Sequence, residues 1–170
     1  MAVAAVHPLM TFVGGSTPSL AGVPFAVEGD KLAARAALAI VRKLGGDSFV
    51  LAPKRKAAYH AWGTMTSPLL LAYLVTMEQA ARLAGIGRKE ARRMSLPIVR
   101  QTLENYARLG SAKSFSGPFV RGDAETVGKH LALLRRDAKV RAVYVALARM
   151  ALDGLPVKNR GKLRPVLEGR

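Results

Sequence analysis

The chain contains no cysteine. Disulfide staples and thiolate metal sites are therefore excluded, and a reducing cytosol is the default setting. Aromatic residues are sparse at 6%, with a single tryptophan, Trp62. Acidic residues are also few: 11 Asp and Glu stand against 27 Lys and Arg. No apolar run reaches membrane length, since the longest, Leu69 to Met77, is about half a span. The opening Met1 to Val6 is apolar but too short for a signal-peptide core and has no basic leader. These absences point to a soluble cytoplasmic protein. No glycine-rich phosphate loop and no Gly-x-Ser-x-Gly elbow is present.

What is present suits a helical domain. At 170 residues the chain suggests one domain with a real core. Half of its residues are hydrophobic, which argues against global disorder. Alanine and leucine prevail over β-branched residues, which favours helix. The net charge of +16 favours anionic ligands. It is scattered over helix faces, which counts against a nucleic-acid groove.

The pattern predicts a short strand-helix-strand entry segment over residues 1–52. Strands are expected at Val3 to Val6, Val23 to Val27 and Ser48 to Leu51. Glu28, Gly29 and Asp30 read as a turn with Asp30 as N-cap. The helix over 31–44 carries Leu32, Ala36, Ile40 and Leu44 on one stripe, and Gly45 and Gly46 end it.

From Pro53 to Gly154 the expectation is a helical bundle. One long helix or two should fill 53–84, with Pro68 as the break or restart. A helix over 88–109 contains Pro97. Residues 110–123 should be loop, followed by helices over 124–136 and 138–153. Residues 155–170 are basic, contain proline and glycine, and read as a flexible tail. The fold class expected is therefore mainly α, preceded by a small α/β segment.

Several clusters carry candidate chemistry. Lys56 and His60 lie four residues apart, which puts both on one helix face, with Tyr59 beside them. Two such cations disfavour each other's protonation, which suits acid/base work near neutrality. A solvated basic turn fits the same spacing, because Lys54 and Arg55 are adjacent. His7 before Pro8 reads as a strand-end group facing a cleft, or as a structural histidine. His130 reads as a helix-surface residue. The three histidines show no metal-ligand spacing, so no metal is expected. Gly85-x-Gly87 follows a helix and has Glu90 where a dinucleotide fingerprint needs a small residue, so it reads as a helix end. Ser116, Gly117, Pro118, Arg121, Gly122 and Asp123 form a shaped loop before a helix, where Arg121 could bind an anion.

Taken together, these strings resemble a known family. They are His7-Pro8-Leu9 with Thr11-Phe12, then Gly22 to Asp30, then Lys56-x-x-Tyr59-His60-Ala61, then Ser116-Gly117-Pro118-x-x-Arg121-Gly122-Asp123 with Thr126, Val127 and His130. The order and spacing resemble the C-terminal region of the Rossmann-like family known as domain of unknown function twenty-five-twenty, over roughly residues 3–150. The resemblance implies a helical domain similar to the C-terminal domain of 6-phosphogluconate dehydrogenase. It also implies an NAD(P)-dependent oxidoreductase context in which that domain binds substrate and makes a homodimer.

By the same resemblance, Lys56 and His60 are the catalytic pair. His7, Tyr59, Asn105, Ser116, Gly117, Arg121 and Asp123 are the substrate-binding residues. The family's N-terminal nucleotide-binding domain has no counterpart in the sequence, so the resemblance implies NAD(P) only with a Rossmann-domain chain as partner, and no cofactor held by this chain alone. Pro68 stands where family members carry an asparagine. Two other readings stay open: a non-enzymatic helical dimer or interaction module, and a basic nucleic-acid-binding protein.

Overall fold

A computed structural model describes residues 1–169. The fold is mainly α with a small α/β segment at its start, as expected. The chain divides into two compact units, Met1–Leu71 and Ala72–Arg170. The boundary expected near residue 52 thus falls inside the first unit.

The first unit holds β1 (Ala4–Pro8), β2 (Pro24–Gly29), α1 (Lys31–Lys43), β3 (Asp47–Val50), a 3-10 turn (Pro53–Arg55) and α2 (Lys56–Thr66). The sheet order is β1-β2-β3. β1 runs antiparallel to β2, with His7 opposite Ala26, and β3 runs parallel to β2. A parallel pair needs a crossover, and α1 provides it. Along β2, Phe25 and Val27 point to α1 and pack with Val41 and with Ala34 and Ala37 respectively. Ala26 and Glu28 alternate to the other face. Glu28 is therefore a strand residue, where sequence reading placed a turn.

The end of α1 is set by two glycines with different duties. Gly45 has φ +76, and its N–H bonds Arg42 O while Gly46 N–H bonds Val41 O at 3.1 Å. That is the paired arrangement of a left-handed helix terminus. Gly46 is needed for space, because a Cβ there would lie 2.6 Å from Phe25 Cε2. Asp30 occupies the N-cap position of α1 but makes no capping bond; its carboxylate accepts from Val3 N at 2.8 Å instead.

A new helix, α3 (Pro68–Arg82), starts after Ser67 leaves helical geometry (φ −130, ψ −74), so Pro68 marks a restart. The division between the units falls within α3. The second unit continues with α4 (Arg88–Ser114), α5 (Pro118–Arg121), α6 (Ala124–Leu133), a 3-10 turn (Leu134–Arg136), α7 (Ala138–Gly154) and α8 (Arg160–Glu168). α4 runs through Pro97 and breaks its helical geometry only at Gly110 (φ 74, ψ 172), one residue past its expected end.

Residues expected as a loop or a flexible tail prove ordered in two places. Pro118–Arg121 forms a helical turn within the expected loop. Arg160–Glu168 forms α8, and Leu163 and Leu167 are buried with Val127, Leu131, Ala148 and Leu152 in the core of the second unit. The final residue of the expected tail lies outside the described residues. The physical reason for the correction is burial: α8 offers two leucines four residues apart to α6 and α7, and each such side chain is worth about 1.5–3 kcal/mol when fully buried.

One carboxylate is buried in the second unit. Glu78 on α3 is 3% exposed and accepts from Arg92 Nε at 2.7 Å and from Arg88 Nε at 3.4 Å. The hydrogen bond from Arg92 chiefly holds its carboxyl below the usual range. This clamp fixes the hairpin between α3 and the start of α4.

Candidate functional site

In the first unit a shallow cavity of about 160 Å³ opens on the sheet face opposite α1. Its walls include His7 from β1, Ala26 and Glu28 from β2, and Lys56, Tyr59 and His60 from α2. Helical spacing brings the last three together, because positions i, i+3 and i+4 share a face. Strand alternation brings Glu28 to the same side.

The two expected catalytic residues have separate partners. Lys56 Nζ forms an ion pair with Glu28 Oε1, the carboxylate being 15% and the lysine 50% exposed. The His60 ring lies against the His7 ring, with centroids 4.8 Å apart. Tyr59 is buried and holds the group together. Its ring packs edge-on against His7, Phe49 and Trp62 at 5.7–5.9 Å. Its hydroxyl reaches toward the His7 carbonyl at 3.4 Å, a long contact. Burial raises the Tyr59 pKa above its ordinary value, which keeps the phenol protonated.

Chemically, this cavity offers an ammonium, two imidazoles, one carboxylate and a protonated phenol. Such a set can bind an anionic or carbonyl group and move a proton. Glu28 is the member that sequence reading missed. The available signal was period-two alternation in β2, which puts Glu28 on the face of Ala26.

The remaining expected site residues belong to the second unit. Asn105 lies on α4 and accepts from Gln101 Nε2 at 3.1 Å. Ser116 is exposed between α4 and α5, and Gly117 adopts φ +88 just before Pro118. Asp123 is the N-cap of α6: its carboxylate accepts from Thr126 N at 3.0 Å and Thr126 Oγ1 at 2.7 Å. These bonds, the backbone one first, lower its pKa. Arg121 is exposed on α5, two residues before this cap. Gly122 has φ +68, and a Cβ there would overlap the Lys158 carbonyl and stand 2.7 Å from Asn159 Cβ. The loop is thus docked against the segment leading into α8. His130, on α6, shares a 3.0 Å hydrogen bond with the Tyr144 hydroxyl, and burial pushes the Tyr144 pKa up to about 12.

A dinucleotide's pyrophosphate needs free N–H groups at a helix start that follows a strand. At the turn from β2 to α1 the Asp30 carboxylate, bonded to Val3 N rather than to the α1 N–H groups, stands beside that place. A second anion there would meet like charge, so this turn does not fit a pyrophosphate.

Residues 23–151 match the family model "Domain of unknown function (DUF2520)", and the chain belongs to that family. Its fold is shared by solved structures that include these two. The protein TM1727 from Thermotoga maritima is 20% identical with a TM-score of 0.73, over 98% of this chain and 62% of its own. A candidate NADP oxidoreductase, BF3122, from Bacteroides fragilis is 18% identical with a TM-score of 0.71, over 86% of this chain and 56% of its own. The chain therefore spans about three-fifths of the length of these relatives. None of the curated proteins matches it.

Proposed function

We propose that this domain is the substrate-binding part of a Rossmann-type NAD(P)-dependent oxidoreductase, with the dinucleotide held by a Rossmann domain rather than by residues 1–170. The observation that carries this reading is the convergence of Lys56, His7, His60 and Tyr59 on one cavity of about 160 Å³. Family membership and the likeness to a candidate NADP oxidoreductase support it.

The reaction class is reduction of a C=O or C=N bond. Lys56 and His60 are the acid/base pair, positioned to pass a proton to the substrate's oxygen or nitrogen. Tyr59 and Glu28 position that pair. Tyr59 does so by packing beneath the histidines, and Glu28 by holding the lysine amine at the cavity wall. His7 is the proposed substrate-contacting residue of this cavity.

Trp62 provides the test, because it is 51% exposed and packs edge-on against Tyr59 at 5.9 Å. NADPH titrated into this chain alone should leave Trp62 fluorescence without a saturable change. The same titration after addition of a Rossmann-domain chain should saturate. Saturable binding by residues 1–170 alone would overturn the reading that these residues hold no dinucleotide.

A second reading is a non-enzymatic interaction module. The observation in its favour is the row of exposed apolar side chains on α4, including Ile98 at 68% and Tyr106 at 60%. It predicts that replacing Lys56 or His60 changes no activity in any reconstituted pair.

A further inference from the structure

The first helix of the chain is built from apolar and cationic side chains alone. From Lys31 to Leu44 there are four cations and ten apolar residues, with no acid, amide or hydroxyl. The side that meets the sheet is made of small residues, with Ala34, Ala37 and Val41 buried there. The larger side chains are left in the open. Leu32 is 75%, Ile40 59% and Leu44 50% exposed, and Ala36 is exposed among them. These four recur at intervals of four and so form one slanting stripe along the helix. Val50 on β3 is registered with Val27, whose side chain meets α1, and is 66% exposed.

Cations border the stripe. Helical spacing puts Lys31, Arg35 and Arg42 on one flank of α1, and Lys43 within the width of the stripe. All four are exposed, and among the described residues none of them has an ion-pair partner. The carboxylates of the first unit lie elsewhere: Glu28 pairs with Lys56, Asp30 accepts from Val3 N, and Asp47 opens β3. The outer side of α1 is therefore both apolar and uniformly positive.

We infer that this side of α1 docks the chain on an anionic membrane surface. A helix that lies in a bilayer interface sends large apolar side chains toward the acyl boundary and meets lipid phosphates with Lys and Arg. Leu32, Ile40 and Leu44 supply the first, and the four cations supply the second. A protein partner would have to place a carboxylate near each of these spread cations, whereas a bilayer meets them all with mobile headgroups. The net charge of +16 adds attraction to an anionic leaflet. The helix lies on the membrane and does not cross it, since among the described residues no helix is long and apolar enough to do so. The docking side and the cavity are on opposite faces of the sheet, so the inference stands apart from the proposed chemistry.

The test is co-sedimentation of the full chain with vesicles of equal parts phosphatidylglycerol and phosphatidylcholine at physiological salt. The chain should bind them saturably. Vesicles of phosphatidylcholine alone should bind it more weakly by about tenfold or more. Leu32→Ser combined with Ile40→Ser should weaken binding to the mixed vesicles by about tenfold or more. Arg35→Gln combined with Arg42→Gln should do the same. All four side chains are exposed, so both variants should keep the wild-type melting temperature, which separates lost docking from a lost fold. The readout needs no cofactor or substrate, so it is indifferent to the fate of the cavity's proposed role. No sedimentation with the mixed vesicles would overturn the inference and leave an acidic protein as the partner of this face. Binding undiminished by the Leu32 and Ile40 changes would overturn it too, because attraction would then rest on the chain's scattered charge.

Discussion

Glu28 and Lys56, 28 residues apart, form an ion pair that ties β2 to the first turn of α2. The pair sets the wall of the cavity in which His7 and His60 meet. Its lysine is half-exposed, so its share of stability is below about 1 kcal/mol. Glu28→Gln should therefore barely move the melting temperature. It should lower kcat/KM about tenfold or more in a reconstituted enzyme, because it frees the lysine from its position. Equal losses of stability and activity would mark the pair as merely structural.

The loop before α6 depends on two neighbouring residues. Asp123→Ala removes the acceptor for Thr126 N and Oγ1. An ordinary cap loss at this chain length shifts the melting temperature by about 2–4 °C. Gly122→Ala should do more. It forces a side chain into φ +68, worth about 1–3 kcal/mol of strain, and drives its Cβ against the Lys158 carbonyl. Thermal melts of both variants give the comparison, with Gly122→Ala expected to melt lower.

Glu78 makes the α3–α4 hairpin sensitive to acid. Its pKa is lowered in the folded chain, chiefly by the hydrogen bond from Arg92. A lowered carboxyl stabilises the fold above the ordinary glutamate pKa, and that contribution is lost as pH falls through the folded value. Glu78→Gln should reduce stability at neutral pH and flatten the acid limb of the stability curve. Denaturant melts between pH 7 and pH 3 measure both. An unchanged acid limb would exclude Glu78 as its source.

Leu163→Ala tests whether the C-terminal segment belongs to the core. Leu163 is fully buried against α6 and α7. Its truncation should cost about 2–5 kcal/mol, read by denaturant unfolding. A cost under half a kcal/mol would mean that α8 is dispensable.

Much of this architecture is legible in the sequence, where local signals are strong. The end of α1 at Gly45 and Gly46, the restart at Pro68 and the Asp123 cap are short-range features, and each shows its physics within a few residues. The expected α1 stripe of Leu32, Ala36, Ile40 and Leu44 is instead exposed, and the helix buries Ala34, Ala37 and Val41 against β2. α8 is the counter-example. Its composition is basic and Pro165 sits inside it, so propensity argues for a tail. The tertiary burial of Leu163 and Leu167 decides otherwise. The site divides the same way. Lys56, Tyr59 and His60 show themselves by spacing along one helix. Glu28 is hidden, because its role depends on the register of β2 and on a partner 28 residues away.

The most direct test of the proposed chemistry is substrate turnover by the chain reconstituted with a Rossmann-domain partner, comparing wild type with Lys56→Ala and His60→Ala. A working acid/base pair predicts losses of about 10²–10⁴-fold in kcat. The double variant should be little worse than either single one, since residues acting as a unit are not additive. Both variants should keep the wild-type melting temperature, because both side chains are exposed. Turnover at the wild-type rate in both variants would contradict the account and leave the interaction module as the function of this chain.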